Sequence, residues 1–436
     1  MNSRPAPAAA EKSADPGLNA RLAALHLLRS ALERRSGLDE ALNDQRFTRL
    51  NTQDRGFARA VAMAALRNLG RIDRMLDARL HKPPPEAVVD LLRLGVAQLI
   101  ALDVPDFAAV ATTVTLAQRE DATRPFKGLI NAVLRGLIRE RPETPLEANL
   151  PDWLWQRWRG FYGDDTARAV AAVVTEEPPT DLSLRGDVSD ERVAELDAER
   201  LPGGSLRTRR HGDLSTWPGF AEGEWWVQDA AAAIPARLLN VQSGESACDL
   251  CAAPGGKTLQ LASACAQVVA LDRSAPRLKR LRENLQRVQL SAEVVTADAE
   301  QWNDARAFDA VLLDAPCSST GTFRRNPESL WSTSPPDIAK LADVQHRLLD
   351  AAAARVKPGG RLVYCVCSLE REEGESQAIA FLRRHPEFEI LPPTPGEAGA
   401  PEAAVTPEGW LRILPSQWPE TGGLDGFFAA RFVRRP

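Results

Sequence analysis

Hydrophobic positions recur at three- and four-residue steps through the first part of the chain. Leu22, Leu25, Leu28 and Leu32 form one stripe, and Val88, Leu91, Leu92, Val96 and Leu99 another. Residues so spaced share one face of an α-helix. The pattern predicts helices over residues 18–141, broken at Ser36-Gly37, at Pro83-Pro84-Pro85 and at Pro105. Amphipathic helices with short polar joints make an all-α bundle, expected over residues 18–145, with Pro142 and Pro145 in the linker that follows. Residues 146–240 read as a small α+β connecting subdomain. Trp153, Trp155 and Trp158 share one helix there, read as interdomain packing rather than base-stacking residues. Glu176-Glu177-Pro178-Pro179 breaks that helix, short strands such as 181–185 follow, and a helix spans about 229–239. From Ser246 the rhythm changes to short apolar runs alternating with helices. Strands are expected at 247–250, 268–272, 292–297, 308–314 and 361–367, helices at 258–264, 277–288 and 338–356, and a last strand at 426–433. Continuous apolar strands joined by helices specify a parallel sheet covered on both faces. Residues 241–436 are therefore read as an α/β Rossmann-like domain whose ligand sits at the carboxyl ends of its strands.

Composition adds bounds. The chain has 436 residues, enough for two or three domains, and 44% hydrophobic with 26% charged residues is ordinary for a soluble multidomain protein. A net charge of −5 gives no overall basic field, which leaves only local arginine runs to meet anions. Those runs are Arg207, Arg209 and Arg210; Arg277 to Arg287 with Lys279; Arg324 and Arg325; and Arg434 with Arg435. No apolar run has the length of a membrane span. Residues 1–17 read as a disordered Ala/Pro-rich tail without the apolar core of a signal peptide. The six cysteines are therefore expected as reduced thiols in a cytoplasm. Cys248 and Cys251 form a C-x-x-C, but no second pair stands at zinc spacing and the five histidines are scattered, so no metal site is expected.

Three segments carry chemistry. The first, Asp249-Leu250-Cys251-Ala252-Ala253-Pro254-Gly255-Gly256-Lys257-Thr258, follows a strand and opens a helix. It is neither a Walker A loop nor G-x-G-x-x-G. Gly255 and Gly256 allow close backbone approach to a ligand, the helix N-terminus favours an anionic group, and Lys257 adds a cation. Acids then end successive strands at Asp272, Asp298 and Asp314. An acid after the second strand suits ribose hydroxyls; those after the third and fourth suit donors such as an adenine amino group. The other two segments, Asp314-Ala315-Pro316-Cys317-Ser318-Ser319-Thr320-Gly321 and Tyr364-Cys365-Val366-Cys367-Ser368, put thiols at two strand ends. A nucleotide-type loop followed by two such thiols is equipment for covalent chemistry on an electron-poor ring. Cys365 falls one step off the strand alternation and reads as core.

These segments, with Arg324-Arg325-Asn326-Pro327-Glu328, closely resemble the S-adenosylmethionine-dependent RNA cytosine-C5 methyltransferases. The helical N-terminus resembles the domain of the antitermination factor NusB, fused in this family to the bacterial small-subunit ribosomal RNA enzymes of the B type. The resemblance covers nearly the whole chain. It implies that Cys251, Ala252, Ala253, Pro254, Gly255, Gly256, Lys257, Asp272, Asp298 and Asp314 hold S-adenosylmethionine. It also implies that Cys367 is the nucleophile, that Cys317 assists release, and that small-subunit ribosomal RNA is the partner. One departure stands out: the family usually has Ser-Thr-Cys-Ser where this chain has Cys365-Val366-Cys367-Ser368, which removes a threonine hydroxyl but not the thiol.

The chemistry fits the residues. Carbon 5 of cytosine is a poor nucleophile until a thiolate adds to carbon 6. Asp314 is placed to bond the N3 or amino edge and offset the charge that builds. DNA cytosine methyltransferases carry their nucleophile in a Pro-Cys context like that of Cys317, so the residues alone leave the choice of thiol open. The target base must be unstacked, with Arg207 to Arg210, Arg324 and Arg325 and the helical domain expected to grip phosphates around it. An amino-group methyltransferase would need an Asn/Asp-Pro-Pro-aromatic motif where Asp314-Ala315-Pro316-Cys317 stands. A non-catalytic RNA-binding factor would have no use for two thiols beside an intact donor loop.

Overall fold

The computed structural model describes residues 16–33, 37–264 and 267–436. Most of the expected tail, and Cys265, lie outside them; Pro16 and Gly17, read as the end of that tail, instead open the first helix. The chain divides between Asp152 and Trp153 into two compact units.

The first unit is helical: α1 (Pro16–Glu33), α2 (Gly37–Leu42), α3 (Gln45–Thr48), α4 (Thr52–Arg67), α5 (Leu69–Asp77), α6 (Glu86–Ile100), α7 (Asp106–Ala117) and α8 (Lys127–Glu140). The stripes expected from sequence point inward, with Leu28, Leu92 and Val96 fully buried. Its few interior charges are matched: Arg21 donates through Nε to Gln98 Oε1 at 2.6 Å, and Arg93 makes paired bonds to Asp73 at 2.8 and 2.9 Å.

The second unit begins at the second residue of α9 (Asp152–Tyr162), which α10 (Asp164–Ala172) follows. A small antiparallel sheet follows, made of β1 (Thr180–Leu184), β2 (Ala198–Arg200), β3 (Leu206–Thr208) and β4 (Trp225–Val227) in the order β2-β3-β1-β4, with α11 (Asp190–Glu195) between its first two strands. After α12 (Ala230–Leu238) come β5 (Ser246–Leu250), α13 (Gly256–Ser263), β6 (Gln267–Asp272), α14 (Ala275–Arg287), β7 (Glu293–Thr296), β8 (Phe308–Asp314), α15 (Pro335–Ala353), β9 (Val356–Val366) and α16 (Glu375–Arg384). The chain ends with β10 (Phe388–Ile390), β11 (Leu411–Ile413) and β12 (Phe427–Arg434). The large sheet has eight strands, in the order β10-β12-β9-β8-β5-β6-β7, with β11 beside β12. β5 to β9 are parallel, as the continuous apolar runs require, but β12 runs antiparallel to β9, and β10 and β11 pair antiparallel with β12. The sheet is therefore mixed rather than wholly parallel. β5 shows why such strands are buried on both faces, with every residue from Ala247 to Leu250 in the core. Among the described residues, no helix is long and apolar enough to cross a membrane.

Candidate active site

The parallel strands bring their carboxyl ends to one edge, and the segments singled out in the sequence meet there. β5 leads into the glycine loop. Gly255 stands at φ 113°, in the left-handed region, as N-cap of α13. A side chain there would also collide with Leu281 of α14, so only glycine turns the loop into the helix at this packing distance.

Asp272, at the end of β6, is buried and accepts from Ala253 N at 3.1 Å and from Ser274 N at 2.8 Å. Each carboxylate oxygen keeps a second lone pair for a ligand hydroxyl. Asp298 lies in the turn after β7, partly exposed, and caps Glu300 N at 3.0 Å.

Lys257, in the first turn of α13, is buried and donates through Nζ to Asp314 Oδ2 at 2.7 Å. Burial works against its charge, but Asp314 outweighs that and holds the ammonium above its ordinary range. The sulfurs of Cys365 and Cys367 add to this when ionised. The cation expected at the glycine loop thus pairs with Asp314, with the Phe427 ring 5.2 Å away. Cys365 is buried, as a core residue should be, yet its thiol reaches Asp314 Oδ1 at 3.5 Å.

The two thiols converge. β8 and β9 pair with Asp314 opposite Cys365. Beyond the strands, Ala315 N donates to Cys365 O and Gly321 N to Cys367 O, each at 3.0 Å. Gly321 packs so tightly on Gly426 that a side chain would strike the Gly426 carbonyl, so the turn carrying Cys317 lies flat on the segment entering β12. The Cys317 and Cys367 sulfurs end 3.4 Å apart. Cys317 is buried and Cys367 half-buried. The bond between the two sulfurs, burial and the charge on Glu373 all push the Cys317 thiol well up. Burial, then Asp272, pushes Cys251 up to about 12, so that thiol stays protonated beside the donor loop.

The expected phosphate grip by Arg207, Arg324 and Arg325 is overturned. Arg324 is 1% exposed and donates to the Gly422 carbonyl. Arg325 lies 2.6 Å from Asp229 and 3.4 Å from Asp425. Arg207 is buried in paired 2.7 Å bonds to Asp181. Charges so paired hold the small sheet, the Cys317 segment and the turn before β12 together; Arg207 and Arg324 are buried and Arg325 is three-quarters buried. Arg209 and Arg210 of the same run are exposed. Trp158 packs within the second unit, 5.9 Å from Phe323, and donates to Glu370 Oε1 at 3.0 Å.

Sequence reading missed four acids: Asp229 and Asp425 of that cluster, Asp249, and Glu373. Asp249 is fully buried, accepts from Thr258 Oγ1 at 2.5 Å, and leaves Oδ1 without a partner. Burial pushes its carboxyl up to about 7 against the Thr258 bond, with Asp314 adding to the rise. Its position opening the glycine loop was the available signal. Glu373 carried none, since Glu370-Arg371-Glu372-Glu373 reads as a solvated charge run.

A mixed, largely parallel sheet with a glycine loop after one strand and an acid at the end of the next defines the Rossmann-like methyltransferase class. Family models sharpen this: residues 236–433 match 16S rRNA methyltransferase RsmB/F, and residues 18–139 match the NusB family. The chain is 34% identical over 441 residues to ribosomal RNA small subunit methyltransferase B of Vibrio cholerae, covering 95% of this chain and 97% of that protein. It is 34% identical to the protein of the same name from Pseudomonas syringae pv. tomato, covering 96% and 97% of the two chains. Among solved structures, PH0851 aligns with TM-score 0.79 and 26% identity over 97% of this chain and 100% of its own. A methyltransferase homologue from Pyrococcus horikoshii aligns with TM-score 0.53 and 26% identity over 69% and 98%. The chain belongs to the ribosomal RNA small subunit methyltransferase B family. Its methyl donor is S-adenosylmethionine. The unpartnered Asp249 oxygen and the spare lone pairs of Asp272, both at the glycine loop, suit a ligand rich in hydroxyl and amine donors.

Proposed function

We propose that this protein methylates carbon 5 of a cytosine in small-subunit ribosomal RNA through a covalent adduct at carbon 6. The observation that carries the reading is the pair of thiols 3.4 Å apart at the strand ends, beside the Lys257–Asp314 ion pair. The loop from Cys251 to Lys257, with Asp272, Asp298 and Asp314, holds the donor; bound S-adenosylmethionine supplies an electrophilic methyl group. Asp314 engages the N3 or amino edge of the base, and Lys257 fixes the side chain that does so. The Cys367 thiolate adds to C6, and electron density moves to C5, which takes the methyl group as that group's bond to the donor's sulfonium sulfur breaks. Loss of the C5 proton then restores the C5–C6 double bond as the sulfur is expelled, a step that Cys317 assists. The base is presented unstacked, in RNA met in the cytoplasm before subunit assembly is complete. Arg209 and Arg210 are the exposed members of their run and meet its backbone.

The test is methyl transfer to unmodified small-subunit RNA, with the modified base mapped by bisulfite protection. A single protected cytosine is expected; methyl incorporation without any protected cytosine would sink the C5 assignment.

A further inference from the structure

We propose that Glu373 is a positioning residue for the thiol pair, clamping the Cys317 turn to the loop that carries Cys367. The proposal rests on the covalent reading above. Glu373 is completely buried. Its Oε1 accepts from Ser318 N at 2.9 Å and from Gln345 Nε2 at 3.0 Å. Its Oε2 accepts from Ser368 Oγ at 2.5 Å and from Ser318 Oγ. Ser318 follows Cys317 and Ser368 follows Cys367, so one carboxylate bonds the residue next to each sulfur. Gln345 also donates to Pro316 O at 2.9 Å, which ties down the residue on the other side of Cys317. The Glu373 carbonyl accepts from the Tyr364 hydroxyl of β9, anchoring the clamp to the sheet.

Four donors converging on one side chain suit an acceptor-only carboxylate and no other residue type of that length. The bond between the two sulfurs and burial push the Cys317 thiol up, and the charge on Glu373 adds to the rise.

The test uses full-length protein. Glu373→Gln keeps the side-chain volume and removes the charge; Glu373→Asp keeps the charge but is too short to reach all four donors. Alkylation by iodoacetamide is followed separately at Cys317 and Cys367 by peptide mass spectrometry. In parallel, kcat, donor KM and RNA-linked protein on denaturing gels are measured with S-adenosylmethionine and unmodified small-subunit RNA. In Glu373→Gln, Cys317 alkylation should rise roughly fivefold or more at constant pH, with kcat down about tenfold and donor KM within about twofold. Unchanged Cys317 alkylation in Glu373→Gln overturns the proposal whatever happens to kcat, because a merely structural brace would not alter that thiol's ionisation. If Glu373→Gln fails to fold, Glu373→Asp decides. Its Cys317 alkylation should stay within about twofold of wild type while kcat falls; wild-type kcat there overturns the clamp. Absence of RNA-linked protein in wild type and in Cys317→Ala, with the alkylation change intact, would remove the covalent reading and leave the Glu373 assignment standing.

Discussion

The sulfur atoms of Cys317 and Cys367 lie 3.4 Å apart, although 50 residues separate them along the chain. The β8–β9 pairing and the bond from Gly321 N to Cys367 O create this contact. It makes the roles of the two thiols separable by experiment. Cys367→Ala should abolish methylation and leave donor binding intact. Cys317→Ala should accumulate RNA-linked protein that survives denaturation, because adduct formation proceeds while its breakdown is slowed. The double variant should form none. A stable adduct in Cys367→Ala alone would exchange the two roles.

Asp272 is expected to set donor affinity. Asp272→Asn preserves the side-chain shape but removes the charge that strengthens bonds to ribose hydroxyls. Titration calorimetry with S-adenosylmethionine should show a loss of about 1.5–3 kcal/mol, roughly ten- to a hundredfold in Kd. An unchanged Kd would place the ribose elsewhere.

Arg325 is expected to matter for stability rather than RNA. Its side chain is 25% exposed and neutralises Asp229 and Asp425, each buried to within a few per cent. Burial and Asp229 push the Asp425 carboxyl up to about 7 even with Arg325 present. Arg325→Ala leaves these acids uncompensated, at a cost of about 3 kcal/mol in denaturant unfolding. The salt dependence of RNA binding should keep its slope, since no phosphate contact is lost. A flattened slope with unaltered stability would restore the phosphate-gripping role.

Asp249 should give the donor-free protein a pH-dependent stability. Its folded carboxyl sits at about 7, above the ordinary 3.8. The folded chain therefore holds a proton that the unfolded chain releases between these values. The stability so contributed is complete below the unfolded value and is lost as pH rises through about 7. Asp249→Asn mimics the protonated form. It should stabilise the protein by roughly 1–3 kcal/mol at about pH 8, with the gain shrinking toward about pH 5. Melting curves at the two pH values, with equal gains at both, would contradict the burial effect.

Local pattern alone determined much of this protein. The leucine stripes specify amphipathic helices wherever they fold, because burying one face is the only way to remove them from water. The apolar runs before Asp249, Asp272 and Asp314 specify buried parallel strands, and strand polarity then sends those acids and both thiols to one edge. That is why the meeting of the glycine loop, the acids and the two cysteines at one edge was legible without coordinates. What sequence could not supply was the partner of each charge. Arg324 and Arg325 are spelled like a basic surface run, and Glu370 to Glu373 like an acidic one. Whether such residues meet water or each other depends on which distant segments pack over them. Tertiary structure turned the arginines inward onto Asp229 and Asp425, and folded Glu373 under both thiol loops. A buried charge survives only where partners converge from elements far apart in the chain, and such convergence leaves no local signature.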